Sequence, residues 1–163
     1  MNTVYLLLGS NLGKRRRKIT EATDQIRENL GFIKMKSAIY ESEPWGFEDE
    51  TNFFNQVVVI ETLQSAAEIL EHIKKIEEKL GRKRVPSASY ISRTIDIDIL
   101  FYNKEIYKTN DLTIPHPLMQ ERMFALLPLA ELSPQLVHPG YQKTIIQLLE
   151  ECPDKGEIRK VED

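Results

Sequence analysis

The stretch Arg93-Thr94-Ile95-Asp96-Ile97-Asp98-Ile99-Leu100 is the part of this sequence richest in chemistry. In an extended chain, alternate side chains part company, so Ile95, Ile97 and Ile99 take one face and Asp96 and Asp98 share the other. Aspartate is depleted in strands, and two on one face repel each other unless a cation or an arginine stands between them. A divalent metal meets that need: Mg2+ takes carboxylate and phosphate oxygens, and paired carboxylates can bridge two ions about 3.5–4 Å apart. An Asp-x-Asp alone reads more simply as the solvated face of an edge strand. Its neighbours favour a metal–nucleotide site. Arg82, Arg84 and Arg93 all lie on the preceding loop, and arginines hold and neutralise transferring phosphoryl groups. That loop, 82–93, is long and polar enough to serve as a lid.

Three weaker signals surround this one. In Pro115-His116-Pro117, followed by Arg122 and Phe124, two prolines restrict the backbone of a histidine that by itself would read as a packing residue. His72 and His138 carry no catalytic reading. The loop from Ser42 to Asn55 holds four aromatics, and aromatic faces can clamp a flat heterocycle while the Asn55 amide offers donor and acceptor to its edge. Aromatics beside a strand are more often core, which is the expectation for about two of these four. Gly9-Ser10-Asn11-Leu12-Gly13-Lys14 lies between a strand and a helix as a phosphate-binding loop would, but its glycines are one residue too close and Arg15 replaces the hydroxyl that would hold Mg2+. It reads as a strand-to-helix turn.

The elements that must position these residues follow from periodicity. Thr3–Leu8 is a buried strand, and a helix follows with Ile19, Ala22, Ile26 and Leu30 on one face, closed by Gly31. A second strand spans about Ile33–Glu41, and a third runs over Phe54–Thr62. Ser65 and Glu68 have capping-box spacing for a helix striped by Ile69, Ile73, Ile76 and Leu80, with Gly81 as its C-terminal cap. Ile95–Phe101 is the fourth strand, to which a short strand at Glu105–Tyr107 pairs. Met123–Glu131 and Thr144–Cys152 are helical, and the tail from Asp154 frays. The order predicts an α+β fold, a ferredoxin-like βαββαβ antiparallel sheet with helices on one face and C-terminal additions, in a single domain over 1–163.

Composition bounds the function. A length of 163 residues and 41% hydrophobic content suffice for one core, and a single cysteine points to a reducing, cytoplasmic setting. The run Val4–Leu8 is too short for a membrane span or a signal core. Twenty-two Lys and Arg against 25 Asp and Glu leave a net charge of −3, which argues against nucleic acid, and no strand carries the aromatic string of an RNA-binding sheet. The basic run Lys14–Lys18 reads as a solvated helix face.

Gly9-Ser10-Asn11-Leu12-Gly13, Tyr40-Glu41-Ser42-Glu43-Pro44, Phe54-Asn55, the Arg93–Leu100 block and Pro115-His116-Pro117 together, in order and spacing over nearly the whole chain, resemble the 6-hydroxymethyl-7,8-dihydropterin pyrophosphokinases of folate biosynthesis. The resemblance implies transfer of the diphosphoryl group of ATP to the pterin hydroxymethyl oxygen, releasing AMP, in a monomer with two Mg2+ ions. By position, Asp96 and Asp98 would hold both ions and Arg82 and Arg93 would act on the triphosphate. Arg84, Tyr90, Ile99, Thr113, His116 and Arg122 would line the ATP site, with Glu77 near the ribose. Phe53 and Phe124 would sandwich the pterin, Asn55 would bond its edge beside Asp96, and Ser42, Glu43 and Trp45 would form its rim. Tyr90-Ile91-Ser92 stands where the family commonly has Trp-Gly-Pro, and Asp111 where some members have arginine, so the implied outcome is activity with altered lid behaviour.

Overall fold

A computed structural model describes residues 1–43, 52–81 and 95–162. The chain runs β1 (Asn2–Ser10), α1 (Arg15–Asn29), β2 (Phe32–Lys36), β3 (Tyr40–Ser42), β4 (Phe53–Thr62), α2 (Ala66–Lys79) and β5 (Asp96–Tyr102). It continues with the small strands β6 (Tyr107–Lys108) and β7 (Thr113–Ile114), a 3-10 turn at Met119–Glu121, and α3 (Met123–Leu132). The strands β8 (Val137–His138) and β9 (Lys143–Thr144), α4 (Ile145–Glu151) and β10 (Ile158–Lys160) complete it. The main sheet is antiparallel in the order β10-β3-β4-β1-β5, with β2 alongside the far half of β4. Taking β2 and β3 as one interrupted strand, this is the ferredoxin-like order, with β10 added at the edge.

Both faces of the central strands are buried, which is why Val4–Leu8 and Val57–Ile60 read as unbroken apolar runs. Val4, Leu6, Leu8, Val58 and Ile60 pack on α1 and α2 through Ile19, Ile26, Ile69 and Ile73. Tyr5, Leu7, Val57 and Val59 pack on the opposite side against Leu126 and Leu129 of α3 and Leu148 of α4. The C-terminal helices therefore form a third layer. The Ser65–Glu68 capping box is present as expected, and Thr144 with Gln147 forms a second at α4.

Four expectations are corrected. The strand expected over Ile33–Glu41 breaks at Ser37–Ile39, where it carries one residue more than β4 does between the pairs Lys36–Val58 and Tyr40–Asn55. The Ser37 hydroxyl accepts the Val57 N–H at 3.0 Å and so replaces a ladder bond across the bulge. The short strand near Tyr107 pairs with β7, not β5. The tail does not fray: Ile158, Arg159 and Lys160 pair with Ser42, Glu41 and Tyr40. The basic run is not simply solvated. The Arg15 guanidinium lies 3.9 Å from the Phe54 ring centroid and donates to Asn52 O and Glu41, while Arg16 donates to Glu162 O.

Gly31 follows α1 for a steric reason rather than a left-handed backbone. A Cβ there would stand 2.2 Å from the Glu61 carbonyl oxygen of β4, so only glycine lets the chain leave α1 this close to the sheet. Gly31→Ala is expected to cost about 2 kcal/mol or more, because backbone must shift to admit the methyl group. Urea denaturation measures this; an unchanged midpoint would contradict it.

Candidate active site

β5 forms one edge of the main sheet, and its alternation is the one read from sequence: Ile97 and Ile99 are buried against α1 and α2, leaving Asp96 and Asp98 half-buried on the other face. Ile99 can therefore meet a ligand only through its main chain. Leu100 has no partner on β1, where the register passes from Leu6–Ile99 to Tyr5–Phe101. This bulge frees the Leu100 carbonyl, which accepts the His116 N–H at 3.2 Å. The proline-flanked segment is thereby moored to the strand that carries the two aspartates.

Cross-strand register builds the rest of the face. Asp96 pairs with Gly9, Gly9 pairs with Asn55, and Asn55 pairs with Tyr40. Paired residues point to the same side, so a carboxylate and a carboxamide stand two strand spacings apart, about 10 Å, with a glycine between them. A Cβ at Gly9 would lie 3.2 Å from Asn55 Oδ1 and 3.7 Å from Phe53 Cδ1, which puts both side chains over the glycine floor. Asn55 is 2% exposed, and its Nδ2 donates to the Ser42 hydroxyl at 2.7 Å, which fixes the amide orientation. Phe54, by contrast, turns to the α1 side, packs beside the core and takes Arg15 on its ring.

His116 Nδ1 accepts the Leu118 N–H at 3.2 Å. The imidazole is thus held as the tautomer whose Nε2–H is a donor. Burial and then the nearby Arg122 charge push its pKa down to about 4, against an opposing pull from Asp96. These couplings place His116 among Asp96 and Arg122, and the Arg122 guanidinium carbon is 5.6 Å from the Phe124 ring centroid. Thr113 is exposed on β7 opposite Lys108, three residues before His116. Glu43 is exposed at the end of β3.

Glu77 has a place that sequence reasoning missed. It is 5% exposed, and its Oε2 accepts the Ile97 N–H at 2.9 Å, so a buried carboxylate from α2 holds the backbone between the two aspartates. Gly9 as the floor of the face was likewise legible only as a turn glycine. Arg82, Arg84, Tyr90, Arg93 and Trp45 lie outside the described residues.

The family model described as 7,8-dihydro-6-hydroxymethylpterin-pyrophosphokinase matches residues 5–134. The chain belongs to this family. It is 43% identical over 145 residues to the 2-amino-4-hydroxy-6-hydroxymethyldihydropteridine pyrophosphokinase of Aquifex aeolicus, covering 89% of each chain. The Bacillus subtilis pyrophosphokinase of the same name is 40% identical over 136 residues, 83% of this chain and 80% of that one. The folic acid synthesis protein FOL1 of Dictyostelium discoideum is 38% identical over 160 residues, but the chain spans only 24% of its length. Among solved structures, the Plasmodium falciparum HPPK-DHPS with pteroate superposes with a TM-score of 0.75 at 20% identity, over 92% of this chain and 42% of that one, and shares the fold.

His116 supplies a pH test. The unfolded chain takes up a proton on this residue near pH 6.5 and the folded protein only near 4, so between those values the unfolded state binds more protons. Its contribution to stability is complete above about 6.5 and is lost as the pH falls toward 4. An NMR titration is expected to show the His116 ring signal moving with a midpoint near 4, and a midpoint of 6 or higher would contradict the buried neutral form.

Proposed function

We propose that the face carrying Asp96, Gly9 and Asn55 performs the reaction of its family, pyrophosphokinase action on hydroxymethyldihydropterin in folate biosynthesis, with ATP as the donor. The observation that carries this assignment is the register row itself, which sets paired carboxylates and a buried, oriented amide on one side of a rigid sheet. Asn55 bonds the pterin edge over Gly9, with Phe53 and Phe124 as its ring contacts and Ser42, Glu43 and Trp45 at the rim. Asp96 and Asp98 gather the triphosphate end.

The donors fit Mg2+. Both are carboxylates, half-buried together on one face of β5. That suits an ion bound by one or two carboxylates that completes its shell with phosphate oxygens and water. Two Mg2+ held by Asp96 and Asp98 would neutralise phosphate charge and polarise the oxygens around the reacting phosphorus.

In the reaction the hydroxymethyl oxygen attacks the β-phosphorus of ATP. The new O–P bond forms as the bond from the α,β-bridging oxygen to that phosphorus breaks; AMP leaves with the bridging oxygen, and the hydroxyl proton passes to solvent. The protein's part is alignment and charge neutralisation. Arg82 and Arg93 take the charge of the transferring group, with Arg84 and Tyr90 on the nucleotide side and Thr113, Arg122 and the Ile99 main chain completing the ATP contacts. His116, neutral at physiological pH, donates from Nε2 without adding charge. Glu77 keeps the Ile97 backbone, and with it both aspartates, in register. We assign the working unit as a monomer in the cytoplasm, with small-molecule substrates and no nucleic acid or membrane partner.

Incubation with ATP, Mg2+ and 6-hydroxymethyl-7,8-dihydropterin, with nucleotides resolved by chromatography, is expected to yield AMP only when pterin and metal are both present. ADP as the product, or AMP formed equally with the metal chelated, would overturn the reading. Asp96→Ala is expected to lower kcat/KM roughly 1,000-fold with the fold retained by circular dichroism. Gly9→Ala is expected to raise the pterin KM roughly tenfold, since one methyl group intrudes where the ring lies. An unchanged pterin KM in that variant would remove Gly9 from the binding floor.

A further inference from the structure

The last described residues of the chain form a strap that begins at Cys152, buried between α3 and α4, and ends on the outer edge of β3. It lies beyond residues 5–134, the part that the family model matches. Its two polar anchors reach two different walls of the face described above.

The first anchor is Asp154. Its Oδ2 accepts the Met123 N–H at 3.0 Å, and its Oδ1 accepts the Gly156 N–H at 2.9 Å. Met123 is the first residue of α3, a helix whose N-cap, Arg122, offers no side-chain cap. A carboxylate from the strap supplies one, meeting an otherwise unpaired N–H and the positive end of the helix dipole. Phe124 is the next residue, so this contact sets where the first turn of α3, with its ring, stands.

The second anchor is Arg159, which grips Glu41 with two bonds to one oxygen, at 2.9 and 2.6 Å. Arg159, and Arg15 from the other side, hold the Glu41 carboxyl below its ordinary pKa. Around this pair, Ile158 opposes Ser42, Lys160 opposes Tyr40, and Val161 N–H donates to Ile39 O at 2.8 Å. β3 is only three residues long and pairs with β4 on one side, so the strap supplies its other ladder. Ser42, the last residue of β3, holds the Asn55 amide.

We propose that Asp154 and Arg159 are positioning residues for the pterin, clamping the two walls of its slot: the β3 edge that orients Asn55 through Ser42, and the N-terminus of α3 that carries Phe124. This rests on the assignment of Asn55 and Phe124 to the pterin. The aspartates that gather the triphosphate sit on β5 at the other edge of the sheet, and only Arg122, next to Met123, joins the strap to the ATP side, so the strap governs the pterin more than ATP.

The test compares Asp154→Ala, Arg159→Ala, their double variant and Asp154→Asn in steady-state kinetics, with pterin binding read directly by fluorescence in the presence of a non-hydrolysable ATP analogue. The double variant is expected to raise both the pterin KM and its Kd roughly tenfold, since small misplacements of binding groups cost this much, while the ATP KM stays within about twofold. Asp154→Asn is expected to fall between the parent protein and Asp154→Ala, because its one side-chain oxygen can still accept the Met123 N–H while the Gly156 bond and the charge are lost. If the double variant does not fold, Arg159→Ala, which removes only an exposed side chain, is expected to show the same selective rise in smaller measure. Unchanged pterin constants, or ATP and pterin constants rising together with a falling Tm, would overturn the proposal. Absence of AMP formation by the parent protein would instead overturn the functional reading, so the two failures are distinguishable.

Discussion

Everything in this site depends on the pairing register of β5 with β1. Side chains alternate with a period of two, so a slip of one residue would drive Asp96 and Asp98 into the layer under α1 and α2 and expose Ile97 and Ile99. Two carboxylates in that apolar layer, without partners, would cost far more than the fold has to spare. The isoleucines thus fix where the aspartates go. Two further devices hold the strand in place: the bulge at Leu100, whose carbonyl takes the His116 N–H, and the Glu77 carboxylate on the Ile97 N–H. The second matters because β5 is an edge strand, and an edge that is not covered would leave that N–H without a fixed partner.

The same constraint sets the spacing of the groups along this face. Antiparallel pairing carries Asp96 across Gly9 to Asn55 at strand spacing, and β-sheet spacing varies little. The aspartates and the Asn55 amide are therefore held at nearly fixed separation by backbone hydrogen bonds rather than by side-chain packing. The third layer, α3 and α4, then closes the side of the sheet on which that face lies and delivers Arg122 and Phe124 to it.

Much of this was legible in the sequence because its signals are local. The Asp/Ile alternation, the Ser65–Glu68 capping box, the apolar helix stripes and the turn at Gly9–Lys14 each declare themselves within a few residues. What escaped was long-range. The break at Ser37 depends on a hydroxyl replacing a ladder bond to Val57 across the sheet, and Gly31 on the approach of Glu61, 30 positions away. Glu77 looked like any helix-face carboxylate, since nothing in its neighbourhood reveals that Ile97 N–H stands opposite. β10 has one apolar residue in three, too little for a period-two pattern, and only the charge match of Arg159 with Glu41 could have hinted at its pairing.

The electrostatics of the site follow from what is neutral as much as from what is charged. On the proposed reading a triphosphate would bring several negative charges toward two aspartates, so cations would have to supply the balance, and Arg122 is already buried on this face. A protonated His116 beside Arg122 would set two like charges together at low dielectric, which is part of why its pKa falls to about 4. Once neutral, with Nδ1 tied to the Leu118 N–H, the ring offers a single donor in a fixed direction. The Pro115-His116-Pro117 motif is in this sense a device for presenting one uncharged N–H: the Leu100 bulge fixes the backbone, the local turn fixes the tautomer, and burial next to Arg122 fixes the charge state.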